Sequence, residues 1–223
     1  MLWHAWRKRE QMKVVRGPKK GQPVLSSRRP ARHIARFLLV AIYTGTRAAA
    51  IGAAGFEPST ENGWIDLKSG RFYRAAEGAV ETNKRQPTIV IPRRLLMHIR
   101  RWKKANPSMK WVVEYRGKPV AEVNKGFGVL VQECGLGLEV VPHVTRHTCA
   151  TWLSQRGASM SDAAAFLGMT QAIYEKTYRH HSPTIVSPGF HSPPLFEIFD
   201  PKYHPSEVLF DDGWVEHEEQ DAA

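Results

Sequence analysis

The sequence predicts an α+β fold, mostly helical, with a small antiparallel β-sheet at one edge. Three observations lead there. The run Ile34, Phe37, Leu38, Leu39, Val40 and Ile42 is apolar nearly all round, as a helix buried on every side would be. Residues 64–67, 71–75 and 88–91 are short and rich in β-formers, and turn residues separate them, which suits an antiparallel meander. The later segments open on a proline or a small polar residue and close on a glycine, the usual punctuation of helices.

Taken in order, residues 1–29 are basic and interrupted by Gly17-Pro18 and Gly21-Gln22-Pro23, and they read as an arm or linker. Pro30 opens the buried helix, which ends at Thr44-Gly45, and a short Ala-rich helix follows Arg47 until Gly55-Phe56-Glu57-Pro58. After the three strands, Pro92 starts a helix with Leu95, Leu96, Ile99 and Trp102 on one face and Arg93, Arg94, Arg100, Arg101, Lys103 and Lys104 on the rest. A strand over 111–115 turns at Arg116-Gly117, and a helix over 127–134 stops at Gly135. Pro142 begins a helix that sends Ala150, Trp152 and Leu153 to the core and stops at Gly157. Ser161-Asp162 is expected to cap a short helix ending at Gly168, and Thr170 the next, which Pro183 prevents from continuing. Residues 184–223 form an acidic, Pro-rich tail without clear periodicity, although Phe196, Phe199 and Phe210 offer apolar docking points.

The 223 residues suit one domain with appendages, and their net charge of +11 is uneven. Residues 1–181 hold 31 Lys or Arg against 12 Asp or Glu, a balance of +19, which marks a polyanion binder and favours nucleic acid over membrane. Cys134 and Cys149 lack the spacing of a zinc or redox pair, and His191, His204 and His217 lack metal-ligand spacing. Neither a secretory leader nor a membrane span is evident, so a reducing cytoplasm is the expected compartment. A Gly-rich phosphate loop is missing as well, and neither a nucleotide nor a metal cofactor is expected.

Chemistry concentrates in three places. In His143-Val144-Thr145-Arg146-His147 the histidine and arginine three apart share a helical face and can converge on one anion. Tyr178, on the helix after the Leu167-Gly168 turn, can bring a hydroxyl to the same point. Upstream, Thr44-Gly45-Thr46-Arg47 adds a second guanidinium just past a turn. Taken singly, each has a bland reading: a surface arginine, a helix brace, a packed tyrosine. Together they suit attack on a phosphodiester. His147 reads as a structural donor inside the fold.

The order Arg47, His143-x-x-Arg146, Leu167-Gly168 and Tyr178 resembles the catalytic domain of the tyrosine recombinases, the phage integrase family, over about residues 30–183. Tyr178 lies nine residues after Met169, the family's spacing between turn and nucleophile. Lys84 matches the family's strand-loop lysine by its distance to Pro92. Two positions depart from the pattern: Met169 stands where the family has a histidine or tryptophan donor, and Ala50 where it often has an acid. His180 and His181 are candidate substitute donors.

The resemblance implies site-specific DNA recombination on double-stranded DNA. Arg47 and Arg146 would hold the phosphate, Tyr178 would form a 3′-phosphotyrosyl link, His143 would accept or relay its proton, and Lys84 would protonate the leaving oxygen. Pairing two duplexes implies a homo-oligomer on DNA. Residues 1–29 would be the remnant of an N-terminal DNA-binding region. The rival reading is a truncated, catalytically silent DNA-binding remnant. A type IB topoisomerase is a third, disfavoured by the short integrase-like motifs.

Overall fold

The computed structural model describes residues 1–80, 85–120 and 122–181. Lys84, Pro183 and the tail from 184 on therefore lie outside the described residues.

The first 29 residues are not simply a linker. Helix α1 (Leu2–Arg7) is followed by an antiparallel hairpin, β1 (Gln11–Lys13) with β2 (Pro23–Leu25), in register from Gln11↔Leu25 to Lys13↔Pro23. A six-residue helix does not hold by itself, so its stability comes from packing. Ala5 is fully buried, the Trp6 ring lies 6.2 Å from that of Trp102, and His4 and Lys8 both reach Glu133. Gly17 and Gly21, which suggested a linker, instead supply positive-φ positions in the loop of the hairpin.

Helix α2 (Arg32–Thr44) runs through the core with Ile34, Phe37, Val40 and Ala41 all but inaccessible, as its apolar sequence requires. Its Phe37 ring meets Phe127 edge-on at 6.2 Å. Burying a side chain of this size contributes about 1.5–3 kcal/mol, so this one helix anchors the domain. It ends at Gly45 in the left-handed conformation, φ 59°, and the short helix α3 (Ala48–Gly52) starts just past Arg47.

The small sheet is β3 (Trp64–Asp66), β4 (Arg71–Tyr73) and β5 (Ile89–Val90), antiparallel in that order, with Ile65, Phe72 and Ile89 turned inward. Trp64 and Tyr73, cross-strand partners, stack at 4.4 Å. Helix α4 (Arg93–Ala105) buries Leu95, Ile99 and Trp102 as the periodicity predicts. The strand expected over 111–115 is shorter. Trp111 makes only an isolated bridge to Gly55, while β6 (Glu114–Tyr115) pairs with β7 (Lys118–Pro119). Positive φ at both Arg116 and Gly117 makes this tight hairpin, which closes the ladder early.

Helices α5 (Asn124–Glu133), α6 (Pro142–Gln155), α7 (Met160–Leu167) and α8 (Gln171–Tyr178) complete the body, and α8 runs into a single 3-10 turn, Arg179–His181. Thr170 caps α8 as expected. The cap of α7 lies two residues before the expected Ser161: Ser159 accepts from the Asp162 N–H, which the Ser-x-x-Asp spacing satisfies. Packing of α6 against α2, and of α7 and α8 against α6, brings the distant motifs together. No described helix is long and apolar enough to cross a membrane.

Candidate active site

The site is built on the corner where α2 ends. A helix leaves its last carbonyls without intrahelical donors, and here two arginines from remote segments supply them. Arg74 donates to Thr44 O and to Phe166 O, both at 2.6 Å, and Arg146 donates to Gly45 O at 2.6 Å. The Thr44 hydroxyl donates back to Val40 O, so the corner is satisfied from within as well. A glycine is needed at 45 both for its positive φ and for space: a Cβ there would run into Leu167 and come within 3.1 Å of the Cys149 sulfur.

Arg47, just beyond this corner, is half-buried and donates to Arg85 O at 2.8 Å. Gly168 closes the far side, since a Cβ on it would sit 2.6 Å from the same carbonyl. The segment that leads into β5 is thus pressed between Arg47 and the turn before α8. Arg47, His143 and Arg146 line one cavity of about 450 Å³, with Phe127, Val131 and Val140 among its apolar walls. Burial, then the neighbouring Arg47, lowers the Arg146 pKa, and burial pulls Arg74 down to about 9, which still leaves Arg74 cationic at neutral pH. Burial, followed by His147, Arg146 and Arg47, lowers His143, so its ring is neutral at pH 7.

Tyr178 is delivered by α8, which packs against α6. Ser154 donates to Tyr178 O at 2.9 Å, and the Tyr174 hydroxyl donates to Ala150 O at 3.0 Å, two ties that fasten α8 along α6. The Tyr178 side chain is only 5% exposed, and its hydroxyl lies 2.7 Å from His147 Nδ1. Burial raises its pKa above 10, while the Arg146 guanidinium opposes the rise.

The structure therefore gathers Arg47, His143 and Arg146 around one cavity, with the Tyr178 hydroxyl of α8 bonded to His147, one turn after His143 on α6. Lys84 lies outside the described residues. His143, expected beside the tyrosine, is not its hydrogen-bond partner. Its ring meets that of His147 edge-on at 4.8 Å, and His147, expected as a donor inside the fold, is exposed and holds the hydroxyl. Met169 and Ala50 are half-buried and bring no polar side-chain donor. His180 and His181 lie on the turn after Tyr178 with their rings 3.9 Å apart, and neither is hydrogen-bonded to Tyr178 or to Arg47 or Arg146. Sequence reasoning missed Arg74, although the alternation of β4, carried one residue past its end, sends Phe72 and Arg74 inward together. It undervalued His147, although a residue four after His143 shares its helical face.

Comparison with known proteins places the chain in a family. The model of the phage integrase family matches residues 27–184. No match is found among curated proteins. Among solved structures, the chain is similar to the Tn1549 transposon integrase (residues 82–397) in complex with circular intermediate DNA: 15% identity, TM-score 0.54, covering 68% of this chain and 57% of that one. It is also similar to XerA recombinase, with 17% identity and a TM-score of 0.50 over 69% of this chain and 58% of that one. The chain thus spans a little over half the length of the structures it matches, and at these identities the likeness concerns the fold. With more than half of its residues matched by the family model and the fold shared, the chain belongs to the phage integrase family and carries a tyrosine-recombinase catalytic domain.

Proposed function

We propose that this protein breaks and rejoins double-stranded DNA at specific sites through Tyr178, with residues 30–183 as its catalytic body. One observation carries the reading: a tyrosine hydroxyl is held by His147 of α6, the residue after Arg146, which shares a cavity with a second arginine and a histidine. In-line attack on a phosphodiester adds negative charge to the non-bridging oxygens, and a guanidinium matches that charge in shape and never loses its own. Arg47 and Arg146 take this role. The neutral His143 ring hydrogen-bonds an oxygen of the same phosphate.

The Tyr178 oxygen bonds to phosphorus, the bond from phosphorus to the 5′ oxygen breaks, and a 3′-phosphotyrosyl link and a free 5′ hydroxyl result. Lys84, the residue before Arg85, protonates the leaving oxygen. Because the ester bond is exchanged rather than hydrolysed, a 5′ hydroxyl from another duplex reverses the step without ATP. Exchange between two duplexes requires several protomers assembled on DNA, and the +19 balance of residues 1–181 supplies the attraction to phosphate.

Met169 and Ala50 favour a second reading, a DNA-binding remnant that no longer cleaves, because both positions lack a polar side chain. Supercoiled plasmid incubated with the protein in EDTA and quenched with denaturant separates the two. Covalent protein–DNA adduct that disappears in Tyr178→Phe supports the recombinase. Salt-sensitive DNA binding without adduct in either form supports the remnant.

A further inference from the structure

We propose that His147 is the group that takes the proton from Tyr178, a catalytic role for a residue outside the Arg47, Lys84, His143, Arg146 and Tyr178 set. The inference rests on Tyr178 being the nucleophile and specifies how it is activated.

The geometry is direct. The phenolic oxygen lies 2.7 Å from His147 Nδ1, the distance at which a hydroxyl donates to an imidazole nitrogen. The two rings are tilted at 48° with centroids 6.0 Å apart, so the contact is made by the polar edge and not by stacking. His143, one turn earlier, faces the arginine cavity and meets His147 edge-on. The two histidines of α6 thus divide the work, one turned to the phosphate and the other to the nucleophile.

Exposure gives the proton a way out. His147 is open to solvent, whereas Tyr178 is 5% exposed and cannot lose a proton to bulk water unaided. In the tautomer with hydrogen on Nε2, Nδ1 accepts the phenolic proton as the oxygen bonds to phosphorus. The resulting imidazolium passes a proton from Nε2 to water. On the reverse stroke Nε2 takes a proton back from water as Nδ1 returns its own to the departing tyrosine, which restores the starting tautomer and balances the cycle. The charged or titratable groups around this pair, among the described residues, include His143, Arg146 and Cys149 on α6 and Tyr174, whose ring lies 5.1 Å from that of Tyr178, on α8.

Two measurements test this. In the full chain labelled at histidine with ¹⁵N, His147 is expected as the Nε2–H tautomer at neutral pH, and Tyr178→Phe is expected to move its Nδ1 resonance far more than those of His143. In the plasmid adduct assay, His147→Phe should slow adduct formation about 100-fold at pH 7 while leaving DNA affinity unchanged, with much of the rate returning as pH is raised. Should His147→Phe form adduct at the wild-type rate and with the wild-type pH profile, the role is overturned while Tyr178 stands as nucleophile. If the wild type forms no adduct, the proposed function fails first. The titration then decides alone: an Nδ1–H tautomer, or indifference to Tyr178→Phe, overturns the contact.

Discussion

On the arginine side of the site, Arg146 and Arg74 are buried, 6% and 3% exposed, and are tied to the carbonyls of Gly45, Thr44 and Phe166. On the tyrosine side, the Tyr178 hydroxyl meets one exposed imidazole, although its backbone is fixed through Ser154. The contrast follows the chemistry. Groups that receive charge work best when folding has already oriented them, because no reorganisation is then left for the reaction. A nucleophile must instead give up its hydrogen bond as it attacks, so a single replaceable partner suits it.

The largest effect that separates the two sides should come from Tyr178→Phe. It removes all covalent adduct, but it forfeits only one half-exposed hydrogen bond, about 1 kcal/mol, and the melting curve should barely move. Next comes Arg146→Lys, which keeps the charge and loses the fork. Adduct formation is expected to fall about 10²–10³-fold, read by single-turnover quench, and an unchanged rate would mean that charge alone suffices. Gly45→Ala attacks the scaffold instead. With φ at 59° and a Cβ forced against Leu167 and Cys149, it should cost about 2–4 kcal/mol in urea denaturation, the sum of backbone strain and overpacking.

The smallest effect is a pH dependence. The pKa values of His143 and His33 both lie below 6.5 in the fold, chiefly because burial disfavours the charged ring. The unfolded chain therefore takes up these protons first. Their contribution is complete above pH 6.5 and is lost as pH falls through the folded values. The urea midpoint should drop modestly between pH 7 and 5, and His33→Asn with His143→Asn should flatten that slope.

The body of the fold was readable because local signals and packing agree. The apolar run of α2, the one-sided pattern of α4, Pro142 at the head of α6 and the Thr170 cap each specify the element that forms. Where reading failed, tertiary context decided. The α1 helix is too short to announce itself and exists because Trp6 packs near Trp102. Within the site, the residue types around Arg47, Arg146 and Tyr178 drew notice through their spacing. Which of two histidines meets the phenol depends on how α8 lies along α6, and the Ser154 and Tyr174 ties that set this have no sequence signature. Arg74 was hidden for a different reason, since an inward arginine at the end of a strand makes sense only once the carbonyls of Thr44 and Phe166 are seen to converge on it.

Mapping the adduct shows whether Tyr178 is the nucleophile. Adduct from the EDTA reaction would be digested with nuclease and trypsin, and the nucleotide-bearing peptide sequenced by mass spectrometry. Cleavage after Lys176 and Arg179 releases Thr177-Tyr178-Arg179, and a 3′-linked nucleotide is expected on the tyrosine of that peptide. A nucleotide on Tyr174, or any link through a 5′ phosphate, would contradict it.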